Sequence, residues 1–479
     1  MSLKRQAISG VKWSGLSIFA VGIIQFSCQV LLARLLSPAD FGMMAMVMTI
    51  IGFAQAFADM GVSNSIISKL ECSSHELSSL YWFNILTGVV FFLLVWFSSS
   101  FVVTYYNEPR LGRLIHVLSP VFLIIPIGRQ FRVLLQKELR FQTIAKIEIA
   151  GSLIASLIAV WLALDGSGVL SLVFWQISFT TATTIILTYI GLQRWKPRLY
   201  FKASVIKGHI RFGLFQTGEN LLNTLTTNID YILIGRYVGA APLGLYSIAR
   251  QLVNYPFMGI ERLTGRVLYS VLSVVQKEKT KFEESYSIAF HYNLVFLLPA
   301  FILLMQFAEP VISTVYGPKW LAAATTLKIL CVVSIIKSLG LQGGAVLLAK
   351  GKANISFYWK LVWTPALIVA CFTGIKIGNS IESVAWSLLG ATLSFDCLWH
   401  YLLIRVGHLN YWKLARGSAG VVVASIGMVM FIQCGLRLGM LPSLKWLTWL
   451  LITGATVYVF LYWLLDKKKF CQLVGMLRS

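Results

Sequence analysis

An all-α integral membrane protein with about fourteen transmembrane helices is the fold class that this sequence predicts. Three observations carry it. Only 12% of the 479 residues are charged, 57% are hydrophobic, and the mean hydropathy is +0.76. A soluble domain carries about 25% charged residues, so this chain could not cover a water-facing surface. Apolar stretches near the roughly 20 residues that a bilayer core demands recur along the whole length. The 41 Lys and Arg are also distributed unevenly over the connecting segments. The composition excludes a soluble enzyme, a disordered regulator and a nucleic-acid binder, despite a net charge of +23.

The spans fall near 12–34, 41–66, 80–104, 114–136, 147–164, 169–192, 210–234, 242–268, 286–308, 320–348, 356–375, 383–404, 417–436 and 446–465. The first follows Lys4, Arg5 and Lys12, runs on directly into a second, and shows no small-residue cleavage site, so it reads as a span rather than a cleaved signal. Both termini and every second loop together hold 24 Lys and Arg, and the opposite loops hold 8. Short loops rich in Lys and Arg stay in the cytoplasm, which puts both termini inside and requires an even number of spans. Much of the positive charge, including Lys467-Lys468-Lys469 after the last span, is then topology signal and attraction to anionic membrane lipids. The seven cysteines stand singly with no CxxC pair, and no disulfide, metal or cofactor is expected.

Between the spans the loops are short, and none could hold a folded domain. No phosphate-binding GxxxxGK[ST], HExxH or GxSxG motif occurs, and the six histidines are scattered. A membrane glycan polymerase or ligase would carry a sizeable outer loop with catalytic side chains. Translocation is therefore the stronger class and an enzyme the weaker.

An internal repeat organises the chain. Leu32-Ala33-Arg34-Leu35-Leu36-Ser37-Pro38-Ala39-Asp40-Phe41-Gly42-Met43 echoes Ile234-Gly235-Arg236-Tyr237-Val238-Gly239-Ala240-Ala241-Pro242-Leu243-Gly244-Leu245 at an offset of 202. Val133-Leu134-Leu135-Gln136-Lys137 is echoed by Val346-Leu347-Leu348-Ala349-Lys350. The offset covers six spans, and an even number makes the halves parallel repeats about an axis along the membrane normal. The expected organisation is a six-helix lobe at 1–200, a second at 204–410, and two further helices with a cytoplasmic tail at 411–479, with a central cleft for substrate.

Nine Lys and Arg fall inside spans: Arg129, Arg132, Arg211, Arg250, Arg262, Arg266, Lys328, Lys337 and Lys360. Each costs about 2.5–3.5 kcal/mol at the bilayer centre on insertion scales, which favours snorkelling near span ends or a hydrated cavity. Arg129 and Arg132 are one turn apart, and Arg262 and Arg266 stack at i, i+4. In the seventh span Gln216, Asn220, Asn223, Thr227 and Tyr231 follow one helix face, flanked by Glu219, Asn228 and Asp230. Interhelical hydrogen bonding is the bland reading of that face; its density favours a cavity wall. Basic groups on one wall and amides on another suit a ligand with phosphate and sugar hydroxyls, because guanidinium binds phosphate through a bidentate fork. The candidate substrate-binding set is thus Arg129, Arg132, Arg250, Arg262, Arg266, Asn220, Asn223 and Thr227. Asp59, Glu219, Asp230 and Asp396 are candidates for ion coupling, and a structural role competes for each. The fifteen tryptophans read as interface belts. Pro256, Gly10 and Gly15 are expected flex points.

Leu32–Gly42 resembles the LAR-LxPxDFG signature of polysaccharide transporters in the multidrug/oligosaccharidyl-lipid/polysaccharide exporter superfamily. Phe57-Ala58-Asp59-Met60-Gly61-Val62 resembles the FxDxG element that follows it. Ile125–Arg132, Gln136–Phe141 and Tyr81–Asn84 are similar to the colanic-acid exporter branch of Wzx-type flippases. The resemblance implies V-shaped paired lobes in the bacterial inner membrane. By alternating access they would move an undecaprenyl-diphosphate-linked oligosaccharide from the inner to the outer leaflet. A polysaccharide polymerase is a candidate partner. The competing transport reading, a multidrug exporter of the same superfamily, would be expected to have a more acidic cavity for cations. Here the basic residues inside spans outnumber the six acidic ones.

Overall fold

A computed structural model describes residues 3–58, 66, 72–437 and 444–478; side chains are described outside 3–12, 14, 204–205, 207–216, 258, 261–267, 353, 444–445, 447, 473–474 and 476–478. All regular structure among these residues is helical. Twelve of the described helices are long and apolar enough to cross a membrane. The seventh and eighth expected spans also form helices, Ala203–Tyr237 and Ala240–Val274, of 35 residues each. They do not join the twelve, and the first of them carries the polar face that the sequence singled out.

The chain divides into two compact units, Met1–Gly244 and Leu245–Ser479. In the first lie α1 (Leu3–Leu35), α2 (Pro38–Ala58), α3 (Ser74–Tyr106), α4 (Arg110–Leu118), α5 (Val121–Lys137), α6 (Phe141–Leu164), α7 (Leu170–Leu192) and α8 (Ala203–Tyr237). The helix expected to open the second lobe, α8, packs on α2 and α3 and so counts with the first unit. Helix pairs α1–α6, α6–α7, α5–α7 and α3–α5 form the rest of its framework. Small residues permit these crossings: a methyl group on Gly88 would come 2.5 Å from the Phe122 carbonyl oxygen, and one on Gly151 would come 2.5 Å from the Thr183 methyl.

The repeat has a direct structural counterpart inside this unit. Ser37 caps α2: its backbone N–H donates to Asp40 Oδ2 at 2.9 Å, and Asp40 N–H donates back to Ser37 Oγ at 3.3 Å. Pro38 then sits at the first helical position, where its missing N–H costs nothing. The S-P-x-D part of the signature is thus a helix start. In the second copy Gly239, at φ +109°, does the same job for α9 (Ala240–Val274), and Leu243 N–H donates to the Gly239 carbonyl. The two starts lie against each other. A methyl on Gly42 would come 1.7 Å from the Ala240 carbonyl oxygen, and one on Gly244 would come 1.8 Å from that of Pro38. Pro38 and Ala240 are equivalent in the repeat, as are Gly42 and Gly244. The contact is therefore reciprocal.

The second unit holds the body of α9, then α10 (Lys279–Gln306), α11 (Ala308–Val311), α12 (Ala323–Gly340), α13 (Gly343–Ala349), α14 (Ala353–Gly378), α15 (Ile381–Gly407), α16 (Tyr411–Arg437), α17 (Leu444–Leu465) and α18 (Lys467–Arg478). A Ser380–Ser383 capping box starts α15. The last two long helices are stitched to α10. His291 lies between Ser418 Oγ at 3.3 Å and Tyr462 Oη at 2.9 Å, and Tyr458 Oη donates to the Val295 carbonyl at 2.8 Å. Leu294, Val421, Met428 and Tyr458 close the apolar core around them.

Candidate functional site

In the first unit the polar face of α8 forms as the sequence spacing predicts. Asn220, Asn223 and Thr227 follow one helix face, and all three are exposed. The threonine hydroxyls turn back to their own helix: Thr224 Oγ1 donates to the Asn220 carbonyl at 2.8 Å and Thr227 Oγ1 to that of Asn223 at 2.6 Å. Asn228 Nδ2 donates to the Thr224 carbonyl at 2.8 Å. The amides of Asn220 and Asn223 are left pointing outward. Glu219 is exposed beside them, whereas Asp230 is only 3% exposed and accepts from Tyr231 N–H.

On α5 the two arginines have different surroundings. Arg129 is half-buried. Arg132 reaches Glu148 of α6 in an ion pair, and the other oxygen of Glu148 accepts from Ser17 Oγ of α1 at 3.0 Å. One carboxylate thus ties three helices together. The Arg132 side chain nevertheless stays 48% exposed. Next to it Gln130 Nε2 donates to the buried Leu77 carbonyl at 2.7 Å, which holds the face of α5 on α3.

In the second unit half-buried Arg250 of α9 acts electrostatically on Lys337 of α12, as does Asp396 of α15. Lys337 and Asp396 line a cavity of ≈ 290 Å³ with Gly340, Leu341, Trp359, Trp363, Thr392, Phe395 and Trp399. From the sequence alone its tryptophans read as interface belts. The signal that could have found the site is the i, i+4 pair Trp359 and Trp363, together with Thr392, Phe395, Asp396 and Trp399 on one face of α15. Asp59 and the side chains of Arg262 and Arg266 lie outside the described residues. Among the described residues no cluster of ligands could hold a metal ion.

A protein family described as "Polysaccharide biosynthesis protein" matches residues 31–325. The teichuronic acid biosynthesis protein TuaB of Bacillus subtilis is 32% identical, over 90% of this chain and 89% of that one. The chain belongs to this family. It is a polysaccharide transporter of the multidrug/oligosaccharidyl-lipid/polysaccharide exporter superfamily, similar to Wzx-type flippases. The lipopolysaccharide biosynthesis protein WzxC of Escherichia coli is 30% identical over 88% of this chain and 83% of that one. The fold of this polysaccharide transporter is also that of the lipid II flippase MurJ in an inward closed conformation, with a TM-score of 0.77 at 15% identity over 95% of this chain and 98% of that one.

Proposed function

We propose that this transporter moves a polyprenyl-diphosphate-linked oligosaccharide, carried on undecaprenol, across the bacterial inner membrane for polysaccharide biosynthesis. The observation that carries the reading is the coincidence of family membership with outward-facing amides on α8 and cationic side chains within otherwise apolar helices. Amides suit sugar hydroxyls. Arg129 and Arg132, with Arg250, Arg262 and Arg266, suit the diphosphate, since charge-assisted hydrogen bonds are roughly twice as strong as neutral ones.

In this mechanism the protein exchanges inward and outward openings by alternating access. The polyprenyl tail stays in lipid, so the path opens sideways while the head group crosses. Glu219 and Asp230 are the described candidates for ion coupling, with Asp59 beside them in the proposal. Both termini lie on the cytoplasmic side, and a polysaccharide polymerase receives the product. In cells lacking the protein, lipid-linked oligosaccharide should accumulate where an external glycan-modifying reagent cannot reach it, and expression of the wild-type protein should restore access. Full external access without the protein would count against the reading.

A further inference from the structure

We propose that the aromatic cavity between α12, α14 and α15 is a subsite for a single pyranose ring bearing a carboxylate, an acidic sugar of the transported glycan. The inference rests on the transport reading above and adds the class of sugar to it. Its first support is shape. At ≈ 290 Å³ the cavity lies at the small end of ligand pockets, which run from about 300 to 1,000 Å³, so it holds one sugar ring better than a whole repeat unit. The second is its wall. Trp359 and Trp399 lie 5.1 Å apart at 38°, and Trp363 meets Phe395 at 5.3 Å. Such faces cover the apolar C–H surface of a pyranose while leaving its hydroxyls free.

The wall is held rigid. Trp399 Nε1 donates to the Gly340 carbonyl at 3.1 Å. Its ring also lies so close to α12 and α13 that methyl groups on Gly340 and Gly343 would come 2.7 and 2.6 Å from it. A belt tryptophan facing lipid has no need of two glycines cleared for its ring.

Three polar groups line this cavity and set its chemistry. Lys337 is exposed on the cavity wall and makes no hydrogen bond or ion pair among the described residues. Thr392 Oγ1 is buried and unsatisfied, in a residue only 3% exposed. Asp396 uses only one oxygen: Oδ2 pairs with His400 Nε2 at 3.0 Å, and His400 Nδ1 faces Tyr411 Oη at 2.6 Å. That contact to His400 fixes the carboxylate and leaves Oδ1 for a sugar hydroxyl. Arg250 adds to the positive potential at Lys337, and Asp396 offsets part of it without forming an ion pair. An ammonium that has no hydrogen-bonded partner at the wall of an aromatic cavity is placed to take a ligand carboxylate in a charge-assisted hydrogen bond.

The test uses the full-length protein in nanodiscs and two probes that differ at one position, methyl glucuronide and methyl glucoside, with binding read by saturation-transfer NMR. The wild-type protein should bind the glucuronide at least tenfold more tightly. Lys337→Met should abolish that preference and leave the glucoside unchanged, Trp363→Leu should weaken both, and Lys468→Met in the tail should change neither. Melting curves of each variant keep a folding defect from being read as lost binding. Equal binding of the two sugars, no binding of either, or a preference that survives in Lys337→Met would overturn the proposal. The transport reading is separable: wild-type protein that flips lipid-linked oligosaccharide yet binds neither probe would end this inference alone.

Discussion

At the scale of single residues, the charges within the helices differ sharply in what they meet. Arg132 has Glu148, and Glu148 has Ser17, so this cation helps hold α1, α5 and α6 together. A half-exposed ion pair contributes about 0–1 kcal/mol, because solvent screens it. Replacing Glu148 with Gln should therefore lower the melting temperature of the purified protein only slightly while raising the local positive potential. A collapse of the fold would show that the pair is far more deeply desolvated than its exposure indicates. Lys337 is the opposite case, an ammonium on the wall of an aromatic cavity with no hydrogen bond or ion pair among the described residues. The sequence placed Lys337 inside a span but could not say what it faces. Which side chains converge on a point depends on three helices packing together, and spacing along one helix does not report that. The spacing did report the α8 face, because Asn220, Asn223 and Thr227 lie on a single helix.

At the scale of elements, the signature at the end of the first span turns out to be a capped helix start and a crossing point. Ser37 and Asp40 satisfy each other and the first turn of α2; replacing Asp40 with Ala should cost about 1 kcal/mol, as lost N-caps do. Gly42 and Gly244 bring α2 and the start of α9 into backbone contact. An added methyl cannot fit without moving a helix, and overpacking of that kind costs typically 1–3 kcal/mol. Gly42→Ala and Gly244→Ala should lower the melting temperature by similar amounts, because the contact is reciprocal. A stable Gly42→Ala beside a damaged Gly244→Ala would contradict that symmetry. The repeat that locates this crossing was visible in sequence as two echoing segments; that the echoes touch was not, since like segments can as easily lie far apart. The boundary between compact units was equally illegible. It follows the packing of α8 on α2 and α3, whereas the repeat alone assigns α8 to the second half.

At the scale of the whole molecule, composition alone identified the class: with 12% charged residues, only a membrane could be the solvent. The uneven distribution of Lys and Arg predicts both termini inside, so reporter fusions at Lys467 and at Pro318 should give opposite sides, and the same side for both would sink that topology. The proposed transport depends on the cationic side chains acting together. Arg262→Ala with Arg266→Ala should slow transport at least tenfold while abundance is unchanged, and Lys468→Ala in the tail should leave it intact; the reverse result would remove the diphosphate cradle. The most direct measurement is transport itself, in proteoliposomes holding the purified protein and a fluorescent undecaprenyl-diphosphate oligosaccharide, followed by loss of the label to a reagent that cannot cross the bilayer. Wild-type protein should expose inner-leaflet label to the reagent well above the level in protein-free vesicles. A rate equal to that of empty vesicles, with folded protein in the membrane, would contradict it.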